Sequence, residues 1–148
     1  MSTAPPDRGR TRDASVVVAR DAQGLVALLS AHFPDHGGDY LFLPGGRKEP
    51  GETDEECAAR ELREEAGIIA STWRPLGSYA FTLASPARIH LYEARGLTIG
   101  PQELTATEHD FKLTWWSMEE ALDAAAGGRF LLPAGPLALL LAERDTQD

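Results

Sequence analysis

The segment Gly45–Ile68 (GGRKEPGETDEECAARELREEAGI) constrains the fold more than any other part of the chain. Thr53, followed three residues later by Glu56, has the form of a capping box, in which a hydroxyl and a carboxylate satisfy free amides at a helix start. Gly67 is the residue type found most often just past a helix end. The segment therefore predicts a helix over Asp54–Ala66.

The predicted helix carries a concentration of acidic side chains. Glu61, Glu64 and Glu65 lie within about one turn, beside an apolar stripe that faces the core. Like charges at this spacing repel, so a cation is expected to compensate them. Mg²⁺ commonly binds a few carboxylates together with substrate phosphates. The cluster is therefore either a site for a metal–phosphate complex or an acidic, solvated helix face beside Arg60 and Arg63.

The spacing of residue types across the segment favours the first interpretation. After Gly46 come five residues, Glu52, seven residues, Arg60-Glu61-Leu62, one residue, Glu64-Glu65, one residue, and Gly67-Ile68. Every specified position resembles the signature of the Nudix hydrolase family. A match at so many positions over 23 residues is far more specific than a lone glycine motif.

The resemblance implies a fold, a reaction and residue roles. The fold is α/β: a Nudix-type α/β/α sandwich with a mixed β-sheet. Members of the family hydrolyse a phosphoanhydride bond in a nucleoside diphosphate linked to another group, with Mg²⁺ or Mn²⁺ as cofactor. The implied metal ligands are Glu61, Glu64, Glu65 and the Gly45 carbonyl, and the implied supporting residues are Arg60 and Glu52. Arg60 would keep neighbouring carboxylates ionised, because a nearby cation favours the charged form.

Two residues outside the segment are further site candidates. Glu108 follows Glu103 and precedes Asp110 in an acidic loop, and Nudix enzymes often draw a metal ligand or general base from a late loop. The alternative for this loop is an ordinary solvated surface. Arg88 lies on a predicted strand and is a candidate for phosphate binding, with an exposed strand residue as the alternative.

Length and composition set the broad class. A chain of 148 residues is long enough for one domain with a substantial core, so we expect a flexible tail over residues 1–13 and a single domain over 14–148. The net charge of −9 argues against a nucleic-acid partner, because nucleic acid binding needs a basic surface. The expected partner is a small nucleoside diphosphate derivative.

The sequence also predicts a cytoplasmic location. Cys57 is the only cysteine, which excludes an intrachain disulfide and fits a reducing compartment. The N-terminal residues lack the apolar core of a secretory signal. The longest apolar run, near Phe130–Ala142, is broken by prolines and a glycine, so we expect no membrane segment. A homodimer is compatible with the apolar C-terminal helix.

Patterns along the rest of the chain predict the remaining elements. Two β-rich runs, Ala14–Arg20 and Gly24–Ala31, flank turn residues and predict a hairpin. Further strands are predicted at Tyr40–Leu43, Trp73–Leu83, Ala87–Ala94 and Phe111–Trp116, and further helices at Met118–Ala126 and Leu137–Arg144.

A second resemblance, outside the signature, bears on which substrate the protein uses. Residues 89–97 and 108–122 resemble ADP-ribose pyrophosphatases and related nucleotide-sugar hydrolases, which favours ADP-ribose or a nucleotide sugar. The chain lacks the sizeable N-terminal extension of many ADP-ribose enzymes, and Pro86 is offset from the proline usual after their signature. A (d)NTP pyrophosphatase of MutT type and a non-catalytic nucleotide-binding module therefore stay open as alternatives.

Overall fold

The computed structural model describes residues 12–146. In this range, strands and helices follow one another as an α/β fold requires. Within this range there are seven strands and three α-helices. In chain order they are β1 (Ala14–Ala19), β2 (Val26–Phe33), β3 (Gly38–Phe42), β4 (Gly45–Arg47), α1 (Asp54–Ala66), β5 (Ile68–Ala80), β6 (Arg88–Ile99), β7 (Lys112–Trp116), α2 (Met118–Ala126) and α3 (Ala134–Thr146). Of the tail predicted for residues 1–13, only Arg12 and Asp13 belong to the described part.

The strands form two sheets. One has four strands in the order β4-β1-β6-β5, and the other has three in the order β3-β2-β7. Strand β1 runs parallel to β6 and antiparallel to β4, so the larger sheet is mixed, as predicted. Strands β5 and β6 form a long antiparallel hairpin, and the smaller sheet is wholly antiparallel.

The central strand β1 is covered on both faces. Successive side chains of a strand point to opposite faces of its sheet. Val17 belongs to an apolar cluster that includes Leu62 of α1, whereas Val18 belongs to one that includes Met118 of α2 and Leu139 of α3. The sheets therefore lie between α1 on one side and α2 and α3 on the other, which confirms the α/β/α sandwich.

The hairpin predicted for the first two strands is wrong. Asp21 does organise a turn, because its Oδ1 accepts hydrogen bonds from the amides of Gln23 at 2.9 Å and Leu25 at 2.8 Å. After a single bridge between Arg20 and Val26, however, β1 and β2 diverge into different sheets. Each strand is buried between other partners, β1 between β4 and β6 and β2 between β3 and β7. Long-range pairing therefore overrides the local hairpin pattern.

Helix α1 has the predicted bounds and caps. Thr53 Oγ1 accepts from the Glu56 amide at 3.1 Å, and Glu56 Oε1 accepts from the Thr53 amide at 2.8 Å. Gly67 ends the helix with a φ of 69°, a left-handed conformation that a residue with a Cβ rarely adopts. The helix therefore has defined ends, and it packs Ala58, Leu62 and Ala66 into an apolar cluster.

The two later helices also match their predictions closely. Ser117 caps α2, since its hydroxyl accepts from the Glu120 amide at 3.0 Å. Helix α3 begins at Ala134, three residues before the predicted start, and packs Ala138 and Leu139 into the core. Within residues 12–146, no helix combines the length and apolarity needed to span a membrane.

Candidate active site

Strand β4 lies against α1 and brings two glycines to its acidic face. The Gly45 amide donates to Glu65 Oε1 at 2.9 Å. A side chain at Gly46 would collide with the Glu61 carboxylate and push it aside, so glycine lets this carboxylate lie close to β4. The glycines and the acidic helix thus form one surface. The contact found for Gly45 is through its amide, and the role of its carbonyl as a metal ligand stays a prediction.

Arg60 is the centre of an ion-pair network on this surface. Its Nε donates to Glu52 at 2.5 Å, and its Nη1 donates to Glu61 at 2.7 Å and to Glu64 at 3.1 Å. A further bond from Nη2 reaches the Arg47 carbonyl at 3.0 Å. The bond from Arg60 holds the pKa of Glu52 below its ordinary value. Arg60 therefore joins α1 to β4 and to the loop that carries Glu52, and it also restrains two of the predicted ligands.

Glu65 has a different environment. Its side chain is buried, with 5% of the residue exposed, and burial is the main cause that raises its pKa to about 9. The Gly45 amide opposes this rise, while the nearby Glu61 and Glu108 carboxylates add to it. Burial likewise raises the pKa of Glu61, in spite of its bond from Arg60. In the described part of the chain, no lysine or arginine forms an ion pair with Glu65.

The loop over residues 100–111 brings Glu108 to this face. Glu108 lies in a short 3-10 helix, Ala106–Glu108, and its carboxylate is near enough to Glu65 to help raise the pKa of that residue. The loop is fastened to the end of α1, because the Gly100 amide donates to the Gly67 carbonyl at 2.6 Å and the Glu103 amide donates to the Glu64 carbonyl at 2.7 Å. The structure thus places Glu108 beside a carboxylate that precedes it by more than forty residues.

Gln102 is a site-supporting residue that the sequence analysis missed. Its Nε2 donates to the Glu65 carbonyl at 2.7 Å and to the Phe111 carbonyl at 3.3 Å. These bonds join the end of α1 to the segment just after Glu108. No residue pattern signals such contacts, since their acceptors are backbone carbonyls.

The donor set on this face suits a hard divalent cation. Glu61, Glu64, Glu65 and Glu108 supply carboxylate oxygens, the ligand type that Mg²⁺ prefers. Glu65 is buried beside like charges without a cationic side chain, and a bound cation would relieve that repulsion. Glu61 and Glu64 accept bonds from Arg60, so a positive charge holds their carboxylates in place. The residues present therefore fit the metal that the resemblance implies.

A second group of possible metal ligands lies at the other end of α1. His90 Nε2 lies 3.0 Å from Asp13 Oδ2 and 3.4 Å from Asp54 Oδ1. In residues 12–146, this is the one set of three such side chains whose ligand atoms all lie within 4.8 Å of one another. The Lys48 ammonium, however, is 3.2 Å from Asp54 Oδ1. The two aspartates thus already have partners in Lys48 and His90. We interpret this group as an ion-pair cluster.

Arg88 lies at the start of β6, where its guanidinium is bound to the neighbouring strand. Its Nε donates to Ser78 Oγ at 2.8 Å and its Nη2 donates to the Ser78 carbonyl at 2.9 Å. The residue is exposed. Phosphate binding by Arg88 stays a prediction that would require release from Ser78.

A cavity of about 690 Å³ opens next to Gly45 and Gly46 and extends between the two sheets. Its volume falls within the range of small-molecule sites, about 300–1,000 Å³. Phe33, Phe42 and Phe111 line it from the smaller sheet and its edge. The acidic face and this cavity share the β4 glycines, so one ligand can contact both.

These features agree with the family comparison. The model of the NUDIX domain matches residues 9–133, and the chain belongs to this family.

Relatives and solved structures extend the comparison. The chain is 33% identical over 111 residues to an ADP-ribose pyrophosphatase of Mycobacterium tuberculosis (strain ATCC 25618 / H37Rv), an alignment that covers 73% of this chain and 54% of the relative. It is 35% identical over 108 residues to a CTP pyrophosphohydrolase of Escherichia coli (strain K12), covering 73% of this chain and 76% of the relative. A solved structure described as an ADP compounds hydrolase has a TM-score of 0.76 at 20% identity, covers 93% of this chain and 75% of that chain, and supports the fold.

The matched region spans only about half the length of the M. tuberculosis protein, 54%. The substrates named for these relatives are therefore those of the relatives themselves.

Proposed function

We propose that this protein hydrolyses a phosphoanhydride bond in a nucleoside diphosphate linked to another group, with ADP-ribose or a nucleotide sugar as the best candidate. The observation that carries the proposal is Glu65, a buried carboxyl group beside Glu61 and Glu108 with no cationic partner among the described side chains. Such a site is completed by a divalent cation and a phosphate-bearing substrate. Similarity to an ADP-ribose pyrophosphatase supports the choice of substrate.

Each predicted site residue of the Gly45–Ile68 segment has a part in the proposed reaction. Glu61, Glu64 and Glu65 hold the cation, and the Gly45 carbonyl adds a backbone ligand. Arg60 and Glu52 orient these carboxylates through the ion pairs described above. When bound, Mg²⁺ or Mn²⁺ neutralises charge on the diphosphate and makes water a better nucleophile.

Glu108 is the proposed general base. It lies beside Glu65 and is only half-buried, so it has access to solvent water as well as to the acidic face. It would accept the proton of the water that attacks phosphorus, while the bond from phosphorus to the bridging oxygen breaks. The products are then a nucleoside monophosphate and the phosphorylated second group.

The second candidate function is hydrolysis of a nucleoside triphosphate. The 35% identity to a CTP pyrophosphohydrolase favours this function, and the alignment covers 76% of the length of that relative. A non-catalytic nucleotide-binding module is the remaining alternative. The cytoplasmic location, the homodimer and the lack of a nucleic-acid partner stay predictions.

A substrate panel tests the proposal. ADP-ribose, nucleotide sugars, dinucleoside polyphosphates and nucleoside triphosphates are incubated with the protein and Mg²⁺, and the products are identified by chromatography. We expect AMP and ribose 5-phosphate from ADP-ribose, with no turnover in the presence of EDTA. Release of pyrophosphate from triphosphates at a much higher kcat/KM would favour the second candidate. Tight nucleotide binding without product under both Mg²⁺ and Mn²⁺ would identify a binding module.

A further inference from the structure

An ion pair joins α1 to the loop over residues 100–111. Arg63 Nη1 donates to Glu103 Oε1 at 2.7 Å, and Arg63 Nη2 lies 3.7 Å from Glu64 Oε2. The side chains of Arg63 and Glu103 are 40% and 60% exposed. Among residues 12–146, this is the one ion pair between the helix and the loop. Arg63 occupies an unspecified position of the signature, so the family resemblance gives it no role.

The part of the loop that carries Glu108 has little packing of its own. The first part of the loop is bound to the end of α1, where the Gly100 and Glu103 amides donate to the Gly67 and Glu64 carbonyls at 2.6 Å and 2.7 Å. The short 3-10 helix Ala106–Glu108 follows, and none of its residues is buried. Because this short helix buries no side chain, its place depends on the contacts on either side of it.

Those contacts lie at Glu103 before the short helix and at Asp110 after it. Asp110 Oδ2 accepts from the His32 amide on β2 at 3.0 Å. Between the two, the Thr105 amide donates to Glu108 Oε1 at 3.1 Å, which ties the Glu108 carboxylate to the backbone of the loop. A displacement of Glu103 from α1 therefore also displaces the carboxylate of Glu108.

We propose that Arg63 and Glu103 are positioning residues, and that their ion pair holds the loop in the place where Glu108 faces the acidic site. The inference rests on the proposed function, because it takes Glu108 as the general base. An exposed ion pair changes an equilibrium by about fivefold at most, and salt weakens it. The pair thus sets the fraction of molecules in which the base is in place. Since a base acts in the chemical step, the pair affects kcat and leaves KM nearly unchanged.

Glu103→Gln tests the ion pair. It removes the carboxylate, but it leaves the residue-103 amide bonded to the Glu64 carbonyl and leaves Arg63 beside Glu64. With the best substrate of the panel and saturating Mg²⁺, we expect kcat to fall by about two- to fivefold and KM to stay nearly unchanged. Asp145→Asn is the matched control, because it breaks another exposed ion pair, that of Asp145 with Arg74. This control should keep the wild-type kcat.

Arg63→Gln and the double variant separate the ion pair from other effects of the arginine. Arg63→Gln also removes a positive charge 3.7 Å from Glu64. If the pair acts as a unit, adding Glu103→Gln to Arg63→Gln should lower kcat no further. The ratio of wild-type to Glu103→Gln kcat should approach one in about 0.5 M KCl. An unchanged kcat in Glu103→Gln, losses that multiply in the double variant, or a ratio that salt does not change would overturn the proposal.

Hydrogen exchange measures the position of the loop without turnover. The Glu103 amide loses its bond to the Glu64 carbonyl when the loop leaves α1. In NMR spectra, this amide should exchange about two- to fivefold faster in Arg63→Gln than in the wild type, and at the wild-type rate in Asp145→Asn. Thermal melting checks that each variant folds. Equal exchange in Arg63→Gln and the wild type would contradict the proposal.

The loop measurements and the substrate panel fail separately. If no substrate of the panel is cleaved and the Glu103 amide still exchanges faster in Arg63→Gln, the proposed function is refuted and the ion pair is upheld as the contact that holds the loop. If a substrate is cleaved and Glu103→Gln keeps the wild-type kcat, the function is upheld and the positioning role is refuted.

Discussion

Glu65 and Glu93 are both buried glutamates, and their neighbours carry opposite charges. Glu93, on β6, is 2% exposed and lies 3.3 Å from Arg20, 2.7 Å from Arg74 and 3.2 Å from Arg95. Glu65, on α1, is 5% exposed and lies beside two other carboxylates. The difference shows that burial alone does not decide whether a carboxylate has cationic partners.

The two environments move the pKa in opposite directions. Burial opposes ionisation of Glu93, but the bonds from Arg74 and Arg95 outweigh it and hold its pKa below the ordinary value. Burial of Glu65 has no such compensation and raises its pKa to about 9. Glu93 therefore forms structural ion pairs that join the end of β1 to β5 and β6. Glu65 is a buried carboxyl group beside other carboxylates, and we propose that it binds a cation.

The largest expected effect is that of Glu65→Gln on activity. An amide keeps the shape of the side chain and the bond from the Gly45 amide but removes the negative charge. We expect kcat to fall by about a thousandfold or more, about 4 kcal/mol, in steady-state assays at saturating Mg²⁺. Glu55→Gln, on an exposed position of the same helix, is the control. A near-wild-type rate would exclude Glu65 from the metal-binding set.

Glu93→Gln should instead act on stability. The substitution removes the carboxylate that lies 3.3 Å from the buried Arg20 guanidinium, which keeps Glu143 at 3.7 Å, and breaking a buried ion pair destabilises by about 3 kcal/mol. Urea denaturation measures this loss. Glu119→Gln, at an exposed position, should change stability by less than about 0.5 kcal/mol. If Glu93→Gln lost activity without losing stability, the structural role assigned to Glu93 would be wrong.

The pH dependence of stability should differ in sign between the two sites. In EDTA, the contribution of Glu65 is fully present below its unfolded pKa, near 4.5, and is lost as the pH rises towards about 9. The contribution of Glu93 is present above its unfolded pKa and is lost as the pH falls through its lower folded pKa. Relative to wild type, Glu65→Gln should therefore gain stability as the pH rises.

Denaturation curves of the wild type, Glu65→Gln and Glu93→Gln at several pH values measure these trends. The disadvantage of Glu93→Gln should shrink in acid, where the wild-type carboxylate is protonated. Parallel pH profiles for all three proteins would show that neither environment acts as described.

The smallest effect is expected for Gln102→Leu, which removes the neutral bonds that hold the Glu108 loop against Glu65. Stability should fall by about 1 kcal/mol. If the loop positions Glu108, kcat should fall by about fivefold, equivalent to about 1 kcal/mol, with KM nearly unchanged. Gln23→Leu, in an exposed turn, is the control. A loss of stability with unchanged kcat would assign Gln102 a structural role only.

Local patterns predicted the acidic helix with its exact bounds, because its start, end and apolar stripe depend on residues three or four positions apart. The same patterns failed at β1 and β2. Both runs are apolar on both faces, so nothing within them specifies which strand each will pair with. The turn predicted at Asp21 is present. The strands on either side of it do not pair as a hairpin.

The sequence by itself determined helix α1, the caps of this helix and its carboxylates. It also determined the family of the protein. Only the tertiary structure decided that Glu65 is left among carboxylates while Glu93 is surrounded by arginines. It also decided that Gln102 holds the loop of Glu108 against α1 and that Phe42 and Phe111 share a cavity. The physical reason is that these contacts join distant residues, and sheet pairing and burial specify them.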